Sequence, residues 1–419
     1  MRTQTKILLA ALLLAPALAW ANGYDVPNVN SRDLALSGSA VAAQTDAAAT
    51  FANPASLSRL TGLNLSLSPA YLDNGTTWHA PPGSPLTPTS VDTDYQPAPP
   101  FSLFAAYGFK LFDRNAGVGL GANIPAGGNV FWPESWPGRS RIITVDRKVY
   151  AFYLTGGYEV LPRIRFGGGI VGYYTTEYLK QGIEPAQQSF AQLSTSGGMV
   201  SYDLSAEAQP LETIPLTIGI DYKHQAVQHL SGDAHFNLPP VLQAAPGAPV
   251  DQSAKHTLTY PNVLNVGLSY RVIPQVLVTF GYTFNRYVVY REDRFVGSQG
   301  LTVVVPRFYS NGWTYRLGGE WDVLKQLTLR IGGLRDISGV NAFFLSPTLP
   351  DSNVWAISGG GGWKFTPDLQ VNVAVFYAWY DKISVPSNST EFLGTYDSHA
   401  LIVSANVTWR TDLPWMQSK

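Results

Sequence analysis

The stretch Leu369-Gln370-Val371-Asn372-Val373-Ala374-Val375-Phe376-Tyr377-Ala378-Trp379-Tyr380 decides the fold. Successive side chains of a strand point to opposite faces. Leu369, Val371, Val373, Val375, Tyr377 and Trp379 therefore share one apolar, aromatic face, opposite Gln370, Asn372, Ala374, Phe376, Ala378 and Tyr380. The pattern recurs in Leu401, Val403, Ala405, Val407 and Trp409, set against Ala400, Ile402, Ser404, Asn406 and Thr408. It recurs in Val276, Val278, Phe280, Tyr282 and Phe284, set against Thr279, Gly281, Thr283 and Asn285. A first instance starts at Leu63, with Leu65 and Leu67 alternating with Asn64, Ser66 and Ser68. In a soluble sandwich such an apolar face would be core; in a membrane barrel it would face lipid.

The connections separate the two. Strands are predicted at roughly 63–72, 100–109, 115–124, 147–159, 163–178, 197–209, 214–237, 257–271, 274–290, 312–323, 326–338, 353–365, 368–382 and 398–410. The joining segments alternate long and short. Short ones fall at Asp113-Arg114, Leu161-Pro162, Pro210-Leu211, Ile273-Pro274, Leu324-Lys325 and Pro367-Asp368. Long loops on one side and tight turns on the other mark an outer-membrane barrel. The chain is thus predicted to be an all-β membrane protein: a 14-stranded antiparallel transmembrane β-barrel, with both termini on the short-turn, periplasmic side. Composition agrees. Charged residues make up 14%, against about 25% in soluble proteins, while 22 Tyr and 11 Trp could supply interfacial girdles.

The N-terminus has another texture. Arg2 and Lys6 precede an apolar run from Ile7 to Ala19 that is too short to span a bilayer as a helix. Ala19-Trp20-Ala21 follows as a cleavage site, so 1–21 reads as a secretory signal. Residues 22–62 lack alternation, and helices are expected over Ser31–Ala43 and Asp46–Leu60, with Ser31 and Asp46 as N-caps. This segment is read as a hatch folded into the lumen, 63–410 as the barrel and 411–419 as a tail.

Enzymatic and cofactor readings fail on residue types and spacing. With 0 Cys there is no thiolate chemistry and no disulfide. Asp397, Ser398 and His399 are adjacent in a strand and point alternately, so they make no relay. His224 faces away from His229 and His235, which disfavours a metal site. Gly117-Val118-Gly119-Leu120-Gly121 is followed by no helix and suits strand packing better than a nucleotide. Asn74-Gly75-Thr76 and Asn388-Ser389-Thr390 are chance sequons. A net charge of −1 offers no basic surface for nucleic acid. Arg139, Arg141, Arg147, Arg286, Arg291, Arg294 and Arg316 are expected near the outer rim. Lipopolysaccharide phosphates or loop ion pairs account for them better than a substrate carboxylate, for which Arg139 and Arg316 are the candidates.

Gly23-Tyr24 and Asp46-Ala47-Ala48-Ala49-Thr50-Phe51-Ala52-Asn53-Pro54-Ala55 resemble the hatch of the outer-membrane long-chain fatty-acid transporters. That family includes aromatic-hydrocarbon channels (the FadL/TodX type). Gly119 to Gly127 resembles its third strand and Trp136-Pro137-Gly138-Arg139 the segment that follows. Leu327 to Gly333 and Gly394-Thr395-Tyr396 resemble its late strands. The resemblance implies passive uptake of hydrophobic small molecules, fatty acids or alkylbenzenes, by a monomer in outer-membrane lipid and lipopolysaccharide, without a cofactor. A general porin or a structural outer-membrane protein is the alternative. It further implies a pocket under the hatch, with Gly23, Tyr24, Phe51, Asn53, Pro54 and Ala55 as site residues. It implies lateral exit at a kink in the third strand, over Asn123, Ile124, Pro125, Ala126, Gly127 and Gly128. Pro125 lacks a ladder donor and Gly127-Gly128 relaxes the backbone, which gives the kink a physical basis. Two features depart from the family: Ala126 stands where an aromatic is usual, and the chain does not end on an aromatic residue.

Overall fold

The apolar faces read from the sequence point outward, away from the protein interior. On the deciding strand Val373, Val375, Tyr377 and Trp379 are 40–56% exposed, while Asn372, Ala374, Phe376 and Ala378 are at most 5% exposed. A soluble sandwich would show the reverse, so this face is the lipid face. The computed structural model describes residues 29–97, 99–183, 188–385 and 392–411.

Fourteen antiparallel strands close into one barrel. They are β1 (Gly62–His79), β2 (Phe101–Leu111), β3 (Arg114–Phe131), β4 (Thr144–Leu161), β5 (Ile164–Gly182) and β6 (Phe190–Ala208). Four interrupted strands follow: β7 (Leu216–Lys223 and Ala226–Asn237), β8 (Gln252–Tyr260 and Val263–Ile273), β9 (Val276–Asn285 and Glu292–Gly297) and β10 (Thr302–Pro306 and Gly312–Asp322). The last are β11 (Leu327–Ile337), β12 (Val354–Lys364), β13 (Leu369–Tyr380) and β14 (Gly394–Thr411). β14 pairs with β1 from Leu63↔Thr411 to His79↔Thr395, which leaves no free edge. The fold is that predicted from the alternation.

Girdle residues fix the membrane position. On β12, Trp355 and Trp363 both face outward. Their eight-residue spacing is ~26 Å along a strand, or ~20 Å of depth at a tilt of about 40°. Trp355 is paired with Trp379 on β13, and Trp321 and Trp409 mark the periplasmic level with Trp363.

The extracellular ends exceed the prediction. The second segment of β9 and the first of β10 form a hairpin, Glu292↔Pro306 to Val296↔Thr302, in what the sequence marks as loop. Over the mouth, Trp78, Trp132, Trp136 and Phe392 form an apolar cap in which Trp132 stacks on Trp136 with ring centroids 4.2 Å apart.

The hatch is helical, but its helices are shorter than expected. Helix α1 is Ser31–Ala35 and α2 is Ala49–Ala52, with 3₁₀ turns at Ala40–Ala42 and Pro54–Arg59. Ser37 (φ 52°) and Gly38 (φ 75°) take left-handed conformations that terminate the first. Pro54 forces Asn53 to be extended (φ −169°), which terminates the second. The N-cap of α1 is Asn30 rather than Ser31; its side chain accepts from the Asp33 N–H at 2.7 Å. Asp46 Oδ1 accepts from the Ala48 N–H at 2.8 Å, one turn ahead of α2.

Candidate functional site: a plugged lumen with two cavities

The hatch can press against the wall because the wall carries glycine where it touches. A β-carbon on Gly117, Gly157 or Gly167 would lie 2.2–2.3 Å from the backbone of Leu57, Pro54 or Ala55. Gly219 and Gly267 meet Val41 and Ala42 in the same way, and Gly332 meets Leu36 and Ser37. Contact at this range needs residues without side chains.

Polar bonds then hold the seat. Ser31 pairs with Ser404, Ser37 with Ser358 and Ser39 with Thr279 at 2.6–2.9 Å. The Ala55 N–H donates to Ser205 Oγ at 2.8 Å, and Ser56 Oγ donates to Glu207 at 2.6 Å. Each such bond contributes about 1 kcal/mol, more where a carboxylate accepts. Ion pairs close the periplasmic side. Glu320 lies between Arg32 (2.8 Å) and Arg330 (2.7 Å), and Glu207 takes Arg165 at 3.0 Å and Arg59 at 3.4 Å. Each arginine there satisfies a carboxylate that would be costly to bury alone.

Asn53 is fully buried and works within the hatch. Its Oδ1 accepts from the Ala55 N–H at 3.2 Å, and its Nδ2 donates to the Val41 carbonyl at 3.0 Å. It ties the two 3₁₀ turns together. Pro54 and Ala55 face wall glycines, whereas Phe51 faces the lumen, edge-on to Tyr153 at 5.4 Å with Lys223 Nζ 4.6 Å above its ring. Gly23 and Tyr24 lie outside the described residues.

Two cavities lie above the hatch. The lower, about 170 Å³, is lined by Val41, Phe51, Pro125, Tyr173, Lys223 and Tyr260 among others. The upper, about 390 Å³, has apolar walls from Leu72, Ile124, Leu334, Val354, Phe376 and Ile402. Arg316 lines both. It therefore sits in the lumen rather than at the rim, and donates to Thr283 Oγ1 at 2.5 Å. Arg139 lines neither cavity; it staples an extracellular loop by donating to the carbonyls of Glu134 (2.9 Å) and Ser189 (3.3 Å). Arg147 is buried against Glu177, within a cluster that continues through His256 and Asp293 to Arg307.

The third strand breaks register where the sequence suggests. Asn123 pairs with Ala151 and Ala126 with Val149, so Ile124 and Pro125 together oppose Tyr150. Two residues against one is a β-bulge. Ile124 lines the upper cavity and Pro125 the lower. The larger irregularity is on the other side of β3. The β2 ladder ends at Ser102↔Asn123 on β3 and at Phe101↔Pro69 on β1. Above that level β1 and β3 both continue, and between Ala70 and Thr76 β1 has no strand partner on this side; only near the top does a short strand, Ser90–Asp92, pair with Thr77–His79. The interval is spanned by a segment containing Pro97, Pro99 and Pro100, which line the upper cavity. Two bonds tie it in, the Ala70 N–H to the Pro100 carbonyl (2.9 Å) and the Asp94 N–H to the Phe131 carbonyl (2.6 Å), and Asn74 Nδ2 of β1 reaches the Asn129 carbonyl of β3 directly across the interval (3.2 Å). The reading of the sequence treats 73–99 as an ordinary surface loop; the Pro-Ala-Pro-Pro run at 97–100 is the signal it passes over.

A closed outer-membrane barrel with a seated hatch and lumen cavities above it defines a plugged transport protein rather than an open pore. The family model of the outer membrane transport proteins (OMPP1/FadL/TodX) matches residues 12–410, and the chain belongs to that family. A long-chain fatty acid transport protein of Salmonella typhi is 23% identical, over 94% of this chain and 96% of its own. Among solved structures, a Pseudomonas aeruginosa FadL homologue superposes with a TM-score of 0.82 at 17% identity, covering 92% of this chain and 99% of its own. The P. putida toluene transporter TodX superposes at 0.71 and 14% identity, covering 93% and 100%. The protein resides in the bacterial outer membrane.

Proposed function

We propose that the protein is a passive channel for hydrophobic small molecules, which enter the upper cavity and leave sideways into the bilayer between β1 and β3. The observation that carries this reading is the missing stretch of β2. On the opposite flank, from β11 to β13, the wall is a continuous ladder that an apolar solute cannot cross. At the β1–β3 interval the cavity is separated from lipid by a proline segment with few ladder donors. Pairing lost in lipid is costly, so a gap in it calls for a purpose. The vertical route is unfavourable for such a solute, because below the lower cavity it meets the Arg32–Glu320–Arg330 ion pairs. Named site residues divide accordingly: Phe51 and Pro125 touch ligand, Asn53, Pro54 and Ala55 hold the hatch, and Gly127-Gly128 border the exit. The protein acts as a monomer whose outer face meets lipid and lipopolysaccharide.

A general porin is the competing reading. The test is uptake by cells whose only inducible channel is this protein, comparing toluene and decanoate with a disaccharide. Faster entry of the apolar solutes with no change for the sugar is expected. Accelerated sugar entry alone would favour the porin.

A further inference from the structure

We propose that His256 is a pH-operated latch on the mouth of the channel: its charged ring ties the extracellular ends of β8 and β9 to β4 and β5, and loss of its proton loosens the apolar cap and speeds the entry of solute. The proposal rests on the channel reading above and names a regulation of it.

The latch is a chain of buried side chains drawn from separate segments. His256 on β8 is 0% exposed; Glu177 on β5, Asp293 on β9, Arg147 on β4 and Arg307 after the first segment of β10 are at most 3% exposed. His256 Nδ1 lies 3.0 Å from Glu177 Oε1, and its Nε2 lies 3.4 Å from Asp293 Oδ1. Arg147 Nε donates to Glu177 Oε2 and Arg307 Nε to Asp293 Oδ2, both at 2.9 Å. The Tyr290 hydroxyl donates to that same Asp293 oxygen, and Thr195 Oγ1 of β6 donates to Glu177 Oε1 at 3.4 Å. Tyr260, further down β8, is the other titratable group close to Arg147 and Glu177. Phe295 stacks on the His256 ring with centroids 4.2 Å apart, and Leu230 of β7 opposes it across the ladder. The outward-facing neighbours Ser253, Lys255 and Thr257 are polar, so this end of β8 stands above the lipid.

The geometry requires a charged ring. A neutral imidazole has one N–H, so its other nitrogen would turn a lone pair toward a buried carboxylate. Only the imidazolium donates to both. Burial works against that charge, but Glu177 and Asp293 outweigh it and hold the pKa above the ordinary 6.5. A raised folded value means that the stabilisation is fully present below pH 6.5 and is lost as pH rises through the folded pKa. Two arginines already match the two carboxylates, so the His256 proton is the surplus charge of the chain and the one that leaves. What it holds is the cap. Phe236 and Phe295 on the β7–β9 side and Val145 and Leu179 on the β4–β5 side belong to the same apolar cluster as Trp132 and Trp136. Arg147, in the same chain, lines the upper cavity. A buried polar network that loses one of its bonds is the place where such a structure gives.

The test is the initial rate of toluene uptake, from pH 6 to 9, by cells whose only inducible channel is this protein. Toluene carries no charge at any of these values, so the profile reports the protein. Wild-type uptake is expected to rise about tenfold across the range, the scale of one charge-assisted hydrogen bond lost from a buried site. His256→Gln cannot take the charge, and its uptake should be fast and flat with pH. Asp293→Asn removes one of the carboxylates that hold the proton and should move the midpoint to lower pH; it serves if the Gln variant does not fold. A flat wild-type profile overturns the proposal, as does a rise with pH that His256→Gln retains or a midpoint that Asp293→Asn leaves in place. Absence of toluene uptake at every pH would instead sink the channel reading on which the proposal stands.

Discussion

The two flanks of the barrel wall are built to different rules. Around β11, β12 and β13 the ladders run in unbroken register, from Leu327↔Trp363 to Asp336↔Val354 and from Val354↔Tyr380 to Lys364↔Gln370. Around β1, β2 and β3 one strand stops short, its neighbour is bulged, and prolines fill the interval. Both flanks face the same lipid and cost the same to leave unpaired. The regular flank shows what the chain can do where only stability matters. Both flanks line the upper cavity, but only on the irregular one is the ladder interrupted beside it, and that is where the exit is proposed. The hatch bridges the two, with α1 packed on β12 and β13 and the Pro54–Arg59 turn on β3, β4 and β5.

The largest expected effect comes from removing that bridge. Deleting residues 22–60 should leave a barrel that still folds, because the ladders do not pass through the hatch, and single-channel conductance should rise roughly tenfold or more, as the emptied lumen of a barrel this size can conduct. Unchanged conductance in planar bilayers would mean that the segment does not block the lumen.

A smaller effect should follow from pushing the hatch off its seat. Gly167→Val places side-chain atoms where Ala55 N already lies 2.2 Å from the β-carbon position. Overpacking of this kind costs about 1–3 kcal/mol, and the loss should fall on the hatch. Protease cleavage near residue 50 should quicken while the barrel retains its heat-modifiable gel mobility. Equal cleavage rates would show that the glycine seat is slack.

The smallest effect concerns Asp351, buried in the extracellular connection between β11 and β12. Burial, with Asp336 nearby, pushes the Asp351 carboxyl up to about 8. A folded value above the unfolded one, about 3.9, means that its contribution to stability is fully present below pH 4 and is lost as pH rises through 8. Asp351→Asn carries no such dependence. The variant should therefore gain thermal stability relative to wild type between pH 4 and 8, by ~2–4 °C for each kcal/mol relieved. Parallel melting profiles across that range would contradict the burial argument.

The barrel was legible because lipid imposes a period of two on every strand, and Leu369 to Tyr380 display it without interruption. The hatch was legible as a break in that period, though Ser37-Gly38 and Asn53-Pro54 shorten its helices in ways that a helical pattern does not reveal. Pro125 announced the bulge through its missing donor. The gap beside it was not legible. Pro97, Pro99 and Pro100 stand in plain view, but a linear pattern does not say which neighbours a loop must cover or that β2 stops at Phe101. Asp351 was hidden for a similar reason: one aspartate after Leu349-Pro350 looks solvated, and only folding of the loop into the mouth buries it. Arg139 and Arg316 looked alike in the sequence, and only the lumen separates a loop staple from a cavity residue.

The central claim is that solute leaves through the β1–β3 interval. Asn74 and Asn129 already touch across it at 3.2 Å, and the chain has 0 Cys, so Asn74→Cys with Asn129→Cys places one disulfide across the proposed exit and nowhere else. The measurement is the initial rate of toluene or decanoate uptake by cells bearing the double variant, oxidised and then reduced. The account expects uptake to fall to about a tenth or less when oxidised and to recover on reduction, with each single variant unaffected. Full uptake by the oxidised protein would contradict it and point to a vertical path through the hatch.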